Sequence, residues 1–129
     1  MTSRVPLLGA VLLSWLGFVV HNFADLPGQT LLSPETAYPT LVYLVLIAAW
    51  FTPGRRIAAW ALLCWGLLQL LGGAVISVLP LPFLPFEPEQ TLYHYAFHVL
   101  YGVLQLPLLI ALRRELRSRR GRSAGARRA

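Results

Sequence analysis

The stretch that decides the fold is QTLYHYAFHVLYGVLQLPLLIAL, residues 90–112. It carries no charge over 23 residues, and a membrane-crossing helix needs roughly 20 mostly apolar ones. Its polar side chains are not scattered. Gln90, His94, His98, Tyr101 and Gln105, continued back to Glu87, are spaced by three or four residues. At ~100° per residue these positions form one narrow stripe, while Phe, Leu, Val, Ala and Ile fill the other faces. In hydrocarbon such a stripe has to face other helices or a wet cavity.

Three more runs lack charge: residues 5–24, 36–54 and 57–86, of 20, 19 and 30 residues. Four runs fit four crossings. The expected fold is therefore an all-α membrane protein, a four-transmembrane-helix antiparallel bundle. Composition agrees. The 129-residue chain is 57% hydrophobic and only 12% charged, whereas a soluble domain carries about a quarter charged residues. That argues against a soluble enzyme. The single cysteine, Cys64, lies mid-run and cannot form an internal disulfide.

Turn and cap residues set the boundaries at about 6–24, 34–52, 55–79 and 88–112. Pro6 suits a first turn. Pro27-Gly28 and Pro53-Gly54 end helices, and Ser33-Pro34-Glu35 and Glu87-Pro88-Glu89 open them with proline and acid at the positive end of the dipole. Residues 1–112 then form the transmembrane domain and 113–129 an Arg-rich tail. Between helices 3 and 4, Pro80-Leu-Pro-Phe-Leu-Pro-Phe-Glu-Pro88 excludes regular helix. This apolar Pro-rich outer loop is expected to fold over the mouth of the bundle as a lid.

All eleven basic residues are arginine. Eight lie in residues 113–129 against Glu115, a net of +7; residues 1–112 hold three Arg against four acids, a net of −1. Arg4, Arg55-Arg56 and the tail share one side of a four-crossing chain, and Asp25, Glu35, Glu87 and Glu89 the other. Arginine bias makes the first side cytoplasmic. The expected location is thus integral, multi-pass, with both termini cytoplasmic, in a bacterial plasma membrane, and run one reads as an uncleaved helix rather than a signal peptide. The expected partners are the lipid bilayer, anionic lipid at the tail, and a membrane-protein partner or a second copy; no nucleic-acid-binding fold is visible.

The other helices carry matching polar stripes: Ser14, Gly17, His21 and Asp25, with Asn22 beside them; Thr36, Thr40 and Tyr43; and Gly66, Gln69, Gly73 and Ser77. With a ~1.5 Å rise per residue, Gln69, His98, His21 and His94 lie at similar heights, about 21–27 Å from the cytoplasmic end. The candidate ligand-binding residues are His21, Asn22, Glu35, Tyr43, Gln69, His94, His98, Tyr101 and Gln105. His94 and His98, at i and i+4, can share a metal ion, with His21 or Glu35 as third ligand. Two histidines on opposite helices also suit a non-covalent haem b, and CxxCH is absent. His, Gln and Tyr could equally bond quinone carbonyls, or a single His could be plain interhelical glue. Asp25, at a helix end, reads as a headgroup-region charge. No serine elbow or phosphate loop is present, which leans against an enzyme; acid–base chemistry by His and carboxylate on a lipid or isoprenoid is the enzymatic alternative. The expected function is a small ligand-binding or accessory membrane protein with an outward-facing His/Gln/Tyr/carboxylate pocket; the alternative is a haem- or metal-binding, quinone-linked redox protein.

Overall fold

The computed structural model describes the backbone of residues 4–126 and the side chains of residues 6–118; the end of the Arg-rich tail lies outside the described residues. Four helices follow in order: α1 (Arg4–Asp25), α2 (Pro34–Trp50), α3 (Arg55–Leu68, prolonged by a π-helical Gln69–Val75 and a 3-10 turn Ile76–Val78) and α4 (Leu92–Ala126). No strand occurs among the described residues. Three helical segments are long and apolar enough to cross a membrane: Pro6–Asp25, Arg55–Val78 and Leu92–Ser118.

Sequential neighbours run antiparallel, as their touching residues show. Asn22 meets Thr36 and Ser14 meets Tyr43; Tyr43 packs on Trp65; Gln69 meets Tyr101; Ser14 meets Gln105 and His21 meets His98. The 26–33 loop and the 79–91 connection therefore sit together at one end, called here the head end, and the 51–54 turn and Arg113 at the opposite, tail end.

Packing differs between the two halves. At the tail end, Leu7, Ala10, Val11, Trp50, Ala58, Ala59, Leu62, Leu108, Leu112 and Leu116 form a continuous apolar core. Toward the head end the core is small, formed by Phe18, Val19, Ala74 and Tyr101, and polar groups take over. The outward faces carry Leu12, Leu13, Leu44, Val45, Leu68, Leu71, Val99 and Val103, all exposed. Apolar side chains all around a helix suit lipid rather than water.

α1 and α4 approach closely at Gly17, where an added Cβ would lie 2.9 Å from Leu104 Cβ and 3.5 Å from the Tyr101 carbonyl. The loop after α1 turns through Gly28 at φ 71°, a left-handed conformation that glycine adopts without strain.

Several expected boundaries are corrected. Helix 3 is not one α-helix over 55–79; it widens into a π segment at Gln69, where Gly72-Gly73 lowers the cost of leaving α geometry. Helix 4 does not begin at residue 88. Gln90 lies outside it and Thr91 caps it: the Thr91 hydroxyl accepts from the His94 amide at 3.3 Å, and its carbonyl accepts from the Tyr95 amide. Glu87 and Gln90 thus leave the stripe and are exposed. Nor does the helix stop at 112; Ala, Leu, Arg and Glu after Ile110 favour helix strongly enough to carry it past Gly121 to Ala126.

The Pro-rich loop is no lid. Phe83 is 73% exposed and Phe86 50%. Gln90 anchors its base instead, donating to the carbonyls of Val78 and Pro88 at 3.2 and 3.0 Å and accepting from the Tyr95 hydroxyl.

A candidate metal centre between α1 and α4

The first layer of polar residues, in the middle of the helices, is closed on itself. Gln105 Nε2 donates to the Ser14 carbonyl at 3.0 Å, which turns Gln105 Oε1 toward the Ser14 hydroxyl that donates to it. With its one proton used, Ser14 Oγ accepts from Tyr43 OH at 2.7 Å. Ser14, Tyr43 and Gln105 are all buried. They form satisfied interhelical glue, the kind of contact worth about 0.6–2 kcal/mol. One turn nearer the head end, Tyr101 OH donates to Gln69 Oε1 on the π segment. A Cβ at Gly73 would stand 2.7 Å from that hydroxyl. Gly73→Ala is therefore expected to dislodge Tyr101 and to destabilise the protein by about 1–3 kcal/mol. Gly9→Ala, where a Cβ meets nothing within 4 Å, is the control. Thermal unfolding in detergent checks the pair; equal melting curves would remove the constraint on Tyr101.

Above this layer four side chains converge on one atom. Asp25 Oδ2 lies 2.9 Å from His21 Nε2, 3.0 Å from His94 Nδ1 and 3.3 Å from His98 Nε2. His21 Nε2 and His98 Nε2 are themselves 2.9 Å apart. The histidine rings stack in series, with centroids 4.3 Å apart for His21–His98 and 4.4 Å for His94–His98. All four side chains are nearly buried, the most accessible being His21 at 13%.

Surrounding groups fix the tautomers. Pro39 has no amide to offer the carbonyl four residues back, so the Glu35 carbonyl is left free inside α2. Asn22 Nδ2 donates to it at 3.2 Å and to Thr36 Oγ1 at 3.1 Å. Both amide protons being spent, Asn22 Oδ1 faces His21 Nδ1 at 3.3 Å, and that nitrogen is the donor. His98 Nδ1 likewise faces the Ala74 carbonyl of the π segment at 3.1 Å and must donate to it. In neutral rings the Nε2 atoms of His21 and His98 then carry lone pairs, and both point at each other and at a carboxylate oxygen. Three electron pairs aimed at one point repel unless something positive lies among them: a proton shared in the cluster or a cation.

A metal ion suits the spacing. Tetrahedral zinc bonds of about 2.0–2.1 Å place neighbouring donor atoms ~3.3 Å apart, against the 2.9, 2.9 and 3.3 Å found between the Nε2 pair and Asp25 Oδ2. His21, Asp25 and His98 offer donor atoms within 4.8 Å of one another. The backbone and side-chain acceptors behind His21 and His98 are the partners that metal-bound histidines commonly have. A haem suits it poorly, since a porphyrin would have to pass between two nitrogens already in contact.

Of the residues the sequence singled out, His21, His94 and His98 come together; Gln69 and Tyr101 lie one layer deeper, and Tyr43 and Gln105 one deeper again. Asn22 orients His21. Glu35 is set apart: its side chain is exposed and accepts from Gln29, and only its carbonyl reaches the site through Asn22. The carboxylate of the cluster is Asp25 instead. It was legible as i+4 of His21, and as an acid in the last turn of a helix, where the dipole opposes it and a compensating group is called for.

The fold and site define a class: an all-helical chain with three helices apolar enough to cross a membrane and a buried His/Asp cluster between the first and last. In comparisons with protein-family models, curated proteins and solved structures, the chain matches none.

Proposed function

We propose that this chain is a small multi-pass membrane protein of ligand-binding type, and that its ligand is a divalent first-row transition-metal ion, zinc by default, held by the His21/Asp25/His98 cluster. One observation carries the reading: the Nε2 atoms of His21 and His98 and one oxygen of Asp25 meet within 2.9–3.3 Å, while the Nδ1 of each ring faces an acceptor. Neutral imidazole with one carboxylate is a donor set of borderline softness, matched to such ions rather than to calcium or magnesium. The test is metal content and zinc titration of detergent-purified protein stripped with chelator. One equivalent bound by the wild type and none by His98→Ala is the expected result; absence of binding at micromolar zinc would remove the proposal.

The same reading places four helices across the bilayer. α2 has 17 residues, at the short end of the spanning range of about 17–25, and it pairs antiparallel with α1. Arg55, Arg56, Arg113, Arg114 and Arg117 all lie at the tail end, exposed or intermediate, and the head end carries acids and no arginine. Positive residues on the cytoplasmic side put the cluster in the outer half of the membrane and both termini inside. Reporter fusions at Ala129 and after Gln29 are expected to be active on the cytoplasmic and outer sides respectively; an outer-side signal from Ala129 would invert the site.

A further inference from the structure

The position of His94 says how many ligands the chain itself supplies. His94 Nδ1 reaches Asp25 Oδ2 at 3.0 Å, yet the compact donor group comprises His21, Asp25 and His98 without it. His94 Nδ1 faces a pure acceptor, so in the neutral ring Nδ1 carries the proton and donates. A nitrogen that spends its proton on a metal-bound carboxylate is not itself a ligand; it steadies one, as outer contacts to bound carboxylates do. The opposite nitrogen, His94 Nε2, is buried with no hydrogen-bond partner. His94 is only 8% exposed. Leaving a ring nitrogen unmatched in the interior is costly, so the bond from Nδ1 to Asp25 is what holds the His94 ring in place.

We propose that the metal has three protein ligands, His21 Nε2, His98 Nε2 and Asp25 Oδ2, that His94 is a positioning residue for Asp25, and that the fourth coordination position belongs to a small exogenous lone-pair donor of the carboxylate, hydroxamate or azide type. This rests on the metal-binding reading above. Sites with three protein ligands keep a position for such a donor, whereas closed four-ligand sites do not.

The experiment uses the full-length protein in detergent, loaded with cobalt(II), whose visible absorption reports coordination number and ligand exchange. Azide and acetohydroxamate are the probes. The expected result is one equivalent of cobalt, with a band that shifts saturably when either probe is added. His94→Ala is expected to weaken cobalt binding about 10–100-fold without lowering the stoichiometry. His94→Asn keeps an N–H for Asp25 and is expected to restore most of the affinity. His98→Ala loses the metal altogether. Should the wild type bind no cobalt, the metal-binding reading itself fails. Should it bind cobalt with a spectrum indifferent to both probes, and should His94→Asn be as damaged as His94→Ala, then His94 is the fourth ligand and the three-ligand inference is overturned while metal binding stands. Circular dichroism and gel filtration identify variants that fail to fold, and the probe response of the wild type decides the matter without them.

Discussion

Asp25→Asn is expected to abolish metal binding and at the same time to make the metal-free protein more stable. The two effects have one cause. Asp25 Oδ2 is the atom that three imidazole nitrogens share, and its side chain is only 8% exposed. A carboxylate there is desolvated, and neutral imidazoles repay it only in part. Asparagine has the same shape without the charge, so the metal-free variant sheds that desolvation cost, by about 1 kcal/mol or more. With the metal the sign reverses. A divalent cation among neutral donors loses its one anionic ligand in a medium where charge interactions are strong. The affinity loss should exceed the about 10–100-fold that marks loss of an outer contact. Zinc titration and thermal unfolding on the same samples, with and without metal, read both. A variant that binds zinc within tenfold of wild type would show that the ion, if bound, sits elsewhere.

The second large effect is expected from a residue that touches no donor. Gly17 lies one turn below His21, and a Cβ there would stand 2.9 Å from Leu104 Cβ. Both atoms belong to the packed seam of α1 and α4, and neither is the free end of a flexible chain. Gly17→Leu must push the helices apart. Inserting bulk into a packed core costs about 1–3 kcal/mol. In a membrane no hydrophobic gain offsets this, because lipid is as apolar as leucine. The separation also carries to His21 and His98, which face each other across the same seam at 2.9 Å. Loss of metal affinity together with stability is the expected outcome. A stable Gly17→Leu protein with unchanged titration would mean that the seam has slack the structure does not show.

Much of this architecture was legible in the sequence because lipid enforces it. The charge-free runs, the histidine spacing and the small residues of α1 each follow from the exclusion of polar groups from hydrocarbon. The stripe on α4 was read correctly from His94 to Gln105 and wrongly at Glu87 and Gln90, because the cap is Thr91 and helical periodicity says nothing about where a helix starts. The π segment could not be read. Gly72-Gly73 permits it, but the Tyr101 hydroxyl and the His98 ring, which use the altered backbone, come from another helix. The place of Asp25 is hidden in the sequence for a similar reason: whether a helix-end acid faces headgroups or histidines depends on partners more than sixty residues away. Apolarity alone does not bury the Pro-rich loop. Phe83 and Phe86 are exposed, and against a bilayer an apolar loop can be covered by lipid alone.

The division of the interior into a polar head half and an apolar tail half has an electrical consequence. Among the described residues, no polar or charged side chain is buried on the tail side of Ser14 and Gln105. If the helices span the bilayer as proposed, most of the transmembrane voltage falls across that apolar half. An ion reaching His21 and His98 from the head end crosses a minor part of the field. It therefore feels a minor part of the about 2.3 kcal/mol per unit charge per 100 mV that full passage entails. Occupancy then follows the concentration of the ion on one face of the membrane and is nearly blind to the other.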